Sequence, residues 1–230
     1  MRHLNWYNLL MKFLLTSGGL TNDLIIGALQ DLVGKNFGDV SIAFIPTASN
    51  VESGDKWWVI KDLVKLQELK FKSVDIVDIS ALPKNVWLPR LNAVDILYFE
   101  GGDTFHLMRT INETGLVSHI TESLKEKIWV GVSAGSMVVA PDLLLSLSQK
   151  IYEEDLNEKE NLKGLGLINF YVLPHLDSQW FPKVKEEEIK QNIENIKTKI
   201  YVLDDNCAVK ILDNKEEVVG DGKWFLIDGY

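Results

Sequence analysis

Short apolar runs alternate with segments of helical periodicity along most of this chain, and this alternation restricts its fold more than any other feature. The first run spans residues 12–17 and ends at Gly18-Gly19, and the apolar residues that follow recur every three or four positions. Strands that alternate with helices predict a parallel sheet, because each helix returns the chain to the edge where the strand began. We therefore predict an α/β fold, a mostly parallel sheet with helices on both faces.

Similar runs mark the other strands. We predict strands at residues 41–47, 74–79, 95–99, 128–132, 170–174 and 200–203, with a late helix around residues 184–196. From Ala208 onwards, three short apolar runs separated by turn residues predict a hairpin-rich end. No linker, repeat or low-complexity segment divides the chain, so we predict a single domain over residues 11–230. Residues 1–10 are predicted to be a leader outside the fold.

Charge and cysteine content limit the partners of the protein. The formal net charge is -9 at pH 7, which disfavours binding to phosphate backbones and anionic lipid. No apolar run reaches the ~18 residues that a membrane-spanning helix needs. The single cysteine, Cys207, cannot form an intrachain disulfide, and no Cys/His cluster indicates a metal site. We predict a cytoplasmic protein with no metal, no organic cofactor and neither a nucleic-acid nor a membrane partner.

Three polar clusters directly follow predicted strands. They are residues 100–103, residues 133–135, and His175 followed by Asp177. In open α/β sheets, ligands bind at the carboxyl ends of the strands. These clusters are therefore the candidates for an active site.

The second cluster lies in a sequence typical of a nucleophile elbow. Residues 131–135, GVSAG, match G-x-S-x-G, follow the apolar run 128–132 and precede an apolar helical segment. In that context a sharp strand-to-helix turn exposes the serine hydroxyl, and small flanking residues avoid clashes. We predict that Ser133 is a nucleophile and that the Ala134 N–H faces a developing oxyanion. The alternative is a serine that only caps the helix.

A serine nucleophile needs a general base, and the chain has four histidines. His3 lies in the leader, while His106 and His119 lie in helical segments. His175 directly follows the predicted strand 170–174, at a carboxyl end, and is the predicted base.

The base in turn needs an orienting acid. The candidates are Asp142, Asp177, Asp204 and Asp205. The last two both follow the predicted strand 200–203, and the residues alone do not separate them. A simple Asp-Asp-Asn turn is the alternative for this segment.

The first cluster contains a second turn of interest, Gly101-Gly102, which follows the predicted strand 95–99. Glycine permits positive φ and a close approach of the backbone to a ligand. This turn is thus the other candidate source of a backbone N–H for an oxyanion. A turn with no functional role is the alternative.

Four segments resemble the dipeptidase E and cyanophycinase family of serine peptidases: YFEGGDTFHL, GVSAGSMVVAP, LPHLD and LDDNCAVKI. The resemblance extends from about Met11 to about Leu212. It implies a class I glutamine amidotransferase-like (flavodoxin-like) fold, with serine in place of the amidotransferase cysteine. It also implies a peptidase that cleaves short peptides, including N-terminal Asp dipeptides, through an acyl-enzyme and without a cofactor.

The resemblance also implies roles for individual residues. Ser133 is the nucleophile, His175 the general base and Asp205, rather than Asp204, the acid. The remaining site residues lie around the nucleophile: Gly102 and Ala134 as oxyanion donors, and Gly101 and Asp103 as substrate-binding residues.

The chain departs from the family pattern where the substrate binds. Glu100 stands where glycine is common, and Asp103 stands where asparagine is common, so the charge beside the substrate differs. The resemblance to the family's aspartyl dipeptidases implies an arginine beyond the histidine that binds the N-terminal aspartate of the substrate. In this chain no arginine follows Ser133. Lys183 or Lys185 is the candidate replacement, without the planar bidentate fork of arginine.

Two other functions are consistent with the sequence. An esterase of the α/β-hydrolase type would place its acid before the histidine, at Asp142 or Asp155. A non-catalytic homologue would keep the pocket and bind a small ligand or partner, without reacting with serine-directed reagents.

Overall fold

A computed structural model describes residues 12–122, 126–193 and 196–228. The predicted leader, residues 1–10, lies outside the described residues. The strands are β1 Lys12–Thr16, β2 Ser41–Ile45, β3 Ser73–Ile76, β4 Ile96–Phe99, β5 Ile128–Val132, β6 Tyr171–Leu173, β7 Ile200–Leu203, β8 Cys207–Leu212, β9 Lys215–Gly220 and β10 Trp224–Ile227. The helices are α1 Asp23–Val33, α2 Thr47–Asn50, α3 Trp57–Glu68, α4 Lys84–Asn92, α5 Thr104–Glu113, α6 Leu116–Glu122, α7 Ala134–Met137, α8 Leu145–Ile151 and α9 Glu186–Asn192.

Within these ranges the strands form two sheets. The larger has the order β3-β2-β4-β5-β1-β8-β9, in which the strands from β3 to β1 are parallel and β8 and β9 are antiparallel. The smaller has the order β10-β7-β6, with β6 and β7 parallel. The prediction of a mostly parallel α/β fold is confirmed.

Alternate side chains of the central strands enter two different buried cores. On β1, Phe13 and Leu15 join the core that contains Phe105 of α5, whereas Leu14 joins the core that contains Leu29 of α1. This alternation follows from the two-residue repeat of a strand. Helices therefore cover both faces of the large sheet, as predicted.

The strands predicted at 170–174 and 200–203 are both present, but they do not join the large sheet. β6 and β7 form the separate small sheet because their apolar side chains enter a third core, which includes Leu173, Val202 and Ile189 of α9. The predicted tail is correct only in part. β8 and β9 form a hairpin, but β10 pairs with β7, because Phe225 packs against the third core.

No helix in the described part of the chain has both the length and the apolar character needed to cross a membrane.

Candidate active site

Three of the predicted site residues form one continuous line of hydrogen bonds. Ser133 Oγ lies 2.8 Å from His175 Nε2, and His175 Nδ1 lies 2.6 Å from Asp205 Oδ1. Because a carboxylate only accepts, the imidazole donates its Nδ1–H to Asp205 and leaves Nε2 free to accept the serine proton. This is the geometry of a Ser-His-Asp triad.

The elbow around Ser133 is fixed by the backbone. Ser133 adopts φ 47° and ψ -106°, a region that residues other than glycine rarely occupy. A Cβ added at Gly131 would lie 2.4 Å from the Gly135 carbonyl oxygen, and one added at Gly135 would lie 2.2 Å from the Phe99 oxygen. Only glycine fits at either flank, so the spacing of the motif follows from steric exclusion.

His175 follows β6 and is held from three sides. Its φ is 69°, which turns the chain sharply as the strand ends. Its backbone N–H donates to Ser17 Oγ at 2.8 Å. Its ring stacks on Phe181, with centroids 4.4 Å apart and planes at 14°. Together these contacts set the orientation of the imidazole between Ser133 and Asp205.

Ser17 is a site residue that the sequence reasoning missed. Its hydroxyl donates to Asp205 Oδ1 at 2.9 Å while accepting the His175 N–H. The following Gly18 packs directly on Asp205, since a Cβ there would lie 2.9 Å from the Asp205 Cβ. The signal was available, because Ser17 follows β1 at its carboxyl end and precedes Gly18-Gly19.

The contacts of Asp205 favour its ionised form. Burial raises the pKa of this carboxyl, but hydrogen bonds from His175, Ser17 and Ser178, together with the charge of His175, outweigh burial and lower the pKa below its ordinary value. Asp205 is therefore a carboxylate at neutral pH, as an acid that stabilises an imidazolium must be.

The other candidate acids have different partners. Asp204 accepts the backbone N–H groups of the nearby Asn206 and Lys223, so it organises the turn after β7. The remaining three pair elsewhere: Asp142 accepts from Tyr171, Asp155 from Arg109 in two hydrogen bonds, and Asp177 from Lys185. The acids that an esterase of the α/β-hydrolase type would use are thus engaged away from His175.

The two histidines in helices, His106 and His119, contact residues outside the triad. His106 Nε2 lies 3.5 Å from Thr110 Oγ1 one turn along α5. The His119 ring packs edge-on against Trp87 of α4. Across residues 12–122, 126–193 and 196–228, no group of three or more His, Cys, Asp or Glu side chains is arranged to hold a metal ion.

The glycine turn lies against the serine. A Cβ at Gly101 would lie 3.3 Å from the Ser133 Cβ, and the Gly101 N–H donates to Glu100 Oε1 at 2.9 Å. Gly102 has φ 130°, and a Cβ there would lie 2.3 Å from the Ala48 oxygen of α2. The conformation therefore requires glycine, and its N–H remains a candidate oxyanion donor beside that of the buried Ala134.

Asp103 has a structural contact. Its Oδ1 accepts the His106 backbone N–H at 2.6 Å, so it caps the first turn of α5. Its predicted role in substrate binding stays a prediction.

Two buried acids lie behind the glycine turn. Glu100 is 1% exposed, and Asp62 of α3 accepts a hydrogen bond from the Tyr98 hydroxyl at 2.8 Å. Burial raises the pKa of Asp62 to about 6. Burial, reinforced by the charge of Asp62, raises the pKa of Glu100 well above its ordinary value. The Glu100 carboxyl, which in the sequence is only a departure from the family's glycine, is therefore held in its neutral form.

Comparison with known proteins places this chain in a family. The model of peptidase family S51 matches residues 13–219. A peptidase E of Nostoc sp. is 28% identical over 228 residues, which cover 94% of this chain and 88% of the relative. An uncharacterized peptidase of Pasteurella multocida is 27% identical over 192 residues, covering 82% of this chain and 89% of the relative.

Solved structures show the same fold. The crystal structure of a peptidase from an acI-B1 Actinobacterium superposes with a TM-score of 0.73 at 19% identity, covering 96% of this chain and 92% of the other. A Listeria monocytogenes structure provisionally described as peptidase E gives a TM-score of 0.74 at 23% identity, covering 90% and 97%. The predicted dipeptidase E-like relationship is confirmed: this chain is a peptidase and belongs to peptidase family S51.

Proposed function

We propose that the protein is a serine-type peptidase that hydrolyses short peptides through an acyl-enzyme on Ser133. The observation that carries the proposal is the unbroken line of hydrogen bonds from the Ser133 hydroxyl through His175 to Asp205. A serine becomes a useful nucleophile only when a base can take its proton, and this line supplies both the base and the acid that orients it.

In the first half-reaction Ser133 Oγ attacks the amide carbon while His175 Nε2 takes the hydroxyl proton. The N–H groups of Gly102 and Ala134 donate to the oxyanion, and Asp205 stabilises the imidazolium. As the C–N bond breaks, the imidazolium gives its proton to the leaving amine. Water then attacks the ester, His175 accepts a proton from it and returns that proton to Ser133 Oγ, and the acid product leaves.

Short peptides are the proposed substrates because relatives named peptidase E share most of the chain. N-terminal Asp dipeptides are the first compounds to test within that class, since the family resemblance implies them. A cytoplasmic location is proposed with the activity, in keeping with the free, buried Cys207.

The test is labelling with a fluorophosphonate, read by intact mass and peptide mapping. We expect one adduct, on Ser133, in the wild type and none in Ser133→Ala, with labelling slowed at least a hundredfold in His175→Ala. Ser146→Ala, at an exposed serine of α8, is the matched control and should label like the wild type. A folded wild type that hydrolyses peptides yet labels elsewhere would contradict the proposal.

A further inference from the structure

Three tryptophans form an aromatic patch on the surface: Trp57, Trp58 and Trp180. Trp57 is 44% and Trp180 62% exposed. Their rings lie 5.8 Å apart, and Trp58 packs edge-on against Trp57 at 6.5 Å. Indole rings bury a large apolar area when a partner covers them, so leaving two of them in contact with water marks a binding surface.

The aromatic patch is carried by the two segments that contact the two sides of the candidate site. Trp180 precedes Phe181, whose ring stacks on His175. Trp57 begins α3, a few residues after α2, and α2 contacts the glycine turn through Ala48, which accepts the Asp103 N–H at 3.1 Å. The patch therefore bridges the chain beside the base and the chain beside the proposed oxyanion donors.

The charges near the site argue against an acidic side chain as the occupant. The two candidate lysine clamps are already paired, Lys183 with Glu153 at 2.5 Å and Lys185 with Asp177 at 2.9 Å. The arginines of the described residues are paired as well, Arg90 with Asp75 and Arg109 with Asp155. An aspartate side chain of a substrate would have to displace one of these carboxylates to reach either candidate clamp or either arginine; Lys56, beside Trp57, instead donates to the Glu52 carbonyl oxygen.

We propose that the aromatic patch is a specificity subsite that binds a large apolar or aromatic side chain of the peptide substrate. This inference rests on the proposed acyl transfer at Ser133, because the subsite would place the scissile bond beside that hydroxyl. The indoles supply apolar contact and stacking to that side chain.

The kinetic test compares the dipeptide series Xaa-Ala and Ala-Xaa, with Xaa as Phe, Leu, Asp, Lys or Ala. We expect kcat/KM for Phe to exceed that for Asp by about tenfold or more in one of the series. Trp180→Ala and Trp57→Ala should each remove most of this preference. Trp224→Ala changes an equally exposed indole on β10 and should keep it. A preference for Asp or Lys, or one that both patch variants retain, would overturn the subsite.

A binding test separates this inference from the proposed function. In Ser133→Ala, which cannot form the acyl-enzyme, Ala-Phe and Phe-Ala are titrated while tryptophan fluorescence is recorded, with Asp-Ala and Lys-Ala as comparisons. We expect one Phe peptide to bind about tenfold more tightly, and Trp180→Ala to remove that difference. Tight binding without hydrolysis by the wild type would sink the proposed function alone. Hydrolysis with equal binding of all peptides would sink the subsite alone.

A different observation carries a second inference, the buried acid pair Glu100 and Asp62. Glu100 Oε2 is buried and has no hydrogen-bond partner among the described residues, and the charge of Asp62 helps to raise the pKa of the Glu100 carboxyl. Two carboxyl groups can hydrogen-bond only if one of them carries a proton, and like charges buried together do not both ionise. The Tyr98 hydroxyl donates to Asp62. The positive charge of Lys61 also acts on Asp62 and lowers its pKa.

We propose that Glu100 and Asp62 share one proton and that Glu100 is a positioning residue, holding the glycine turn against Ser133. Its Oε1 accepts the Gly101 N–H at 2.9 Å, which orients the next peptide unit and thus the Gly102 N–H. The pair does not touch the substrate. It acts on the reaction by setting the direction of the Gly102 N–H, the proposed oxyanion donor.

Two variants of Glu100 test this. Glu100→Met keeps the length of the side chain but removes the acceptor, and it should lower kcat about tenfold or more with KM within about twofold. Glu100→Gln keeps the acceptor and should recover most of that loss. Wild-type kcat should fall at alkaline pH as the shared proton leaves, and this decline should be absent in Glu100→Gln. Equal kcat in the wild type, Glu100→Met and Glu100→Gln would refute the positioning role. If Glu100→Met does not fold, a fall of kcat at alkaline pH that is the same in Glu100→Gln and the wild type would still refute the shared proton.

Discussion

The two halves of the candidate site are built in different ways. Ser133 follows β5 in the middle of the large sheet, where Gly131 and Gly135 pack on backbone oxygens at distances that admit no side chain. His175 follows β6 in the small sheet and is held by the side chains of Ser17 and Phe181. The proposed nucleophile half is thus held by steric exclusion of side chains at its two glycines, and the proposed base half is held by side-chain contacts that can be removed one at a time.

Removing the acid should break the base half most severely. In Asp205→Asn the amide can donate to Nδ1 and so favour the wrong imidazole tautomer, and kcat should fall about 10³–10⁴-fold while the protein stays folded. Asp204→Asn is the matched control and should keep kcat within a few fold, since its contacts are to backbone N–H groups. Steady-state kinetics measures both, and a larger loss in Asp204→Asn would reverse our assignment.

The nucleophile half should instead fail through stability. A Cβ in Gly135→Ala would sit 2.2 Å from the Phe99 carbonyl oxygen, so we expect the free energy of unfolding to fall by about 3 kcal/mol or more. Gly27→Ala, in α1 with nothing within 4 Å of the new Cβ, should be neutral or stabilising by up to about 1 kcal/mol. Urea denaturation compares them, and equal stabilities would refute steric placement of the elbow.

Beside the glycine turn, a buried acid can be tested at Glu154, whose Oε1 lies 3.3 Å from Thr104 Oγ1 of α5. Burial, followed by the charge of Asp103, raises the pKa of Glu154 from 4.5 to about 8. A raised folded-state pKa means that this group's stability contribution is full below pH 4.5 and is lost as pH rises towards about 8. Glu154→Gln should therefore be more stable than the wild type by roughly 3 kcal/mol or more at pH 8.5, with a gain of less than about 1 kcal/mol near pH 5.

Thermal or urea unfolding at the two pH values gives the comparison. Glu153→Gln is the control, because Glu153 is exposed and paired with Lys183, and an exposed ion pair contributes only about 0–1 kcal/mol. A gain in Glu154→Gln that is the same at both pH values would show that ionisation of Glu154 is not its cause.

Ser17 should give the smallest effect. Ser17→Ala removes one hydrogen bond to Asp205 and one from the His175 N–H, while the triad hydrogen bonds remain. We expect kcat to fall about threefold to tenfold, which corresponds to roughly 1 kcal/mol. Labelling of Ser133 by fluorophosphonate should slow by the same factor. A loss comparable to that of Asp205→Asn would mean that the base half, too, is held as a rigid unit.

The same contrast explains what the sequence could predict. The elbow around Ser133 is local, because five consecutive residues contain both the turn and the glycines that it needs. The choice between Asp204 and Asp205 required the family resemblance, since it depends on which carboxyl faces a histidine 30 residues earlier in the chain.

The small sheet and Ser17 were harder for a related reason. β6 and β7 have the apolar pattern of any buried strand, and nothing local says which core they enter. Ser17 acts through Asp205, 188 positions along the chain, so a strand-end serine is visible in the sequence but its partner is not.

The connection from β7 to β8 has a consequence for how activity reports on folding. Asp205 lies on this connection, with the small sheet before it and the large sheet after it, and His175 must reach across from one sheet to a serine on the other. The rate of peptide hydrolysis should therefore depend on how the two sheets are placed relative to each other. A chain whose small sheet has loosened while its large sheet is intact should keep most of its helical circular dichroism and lose its turnover.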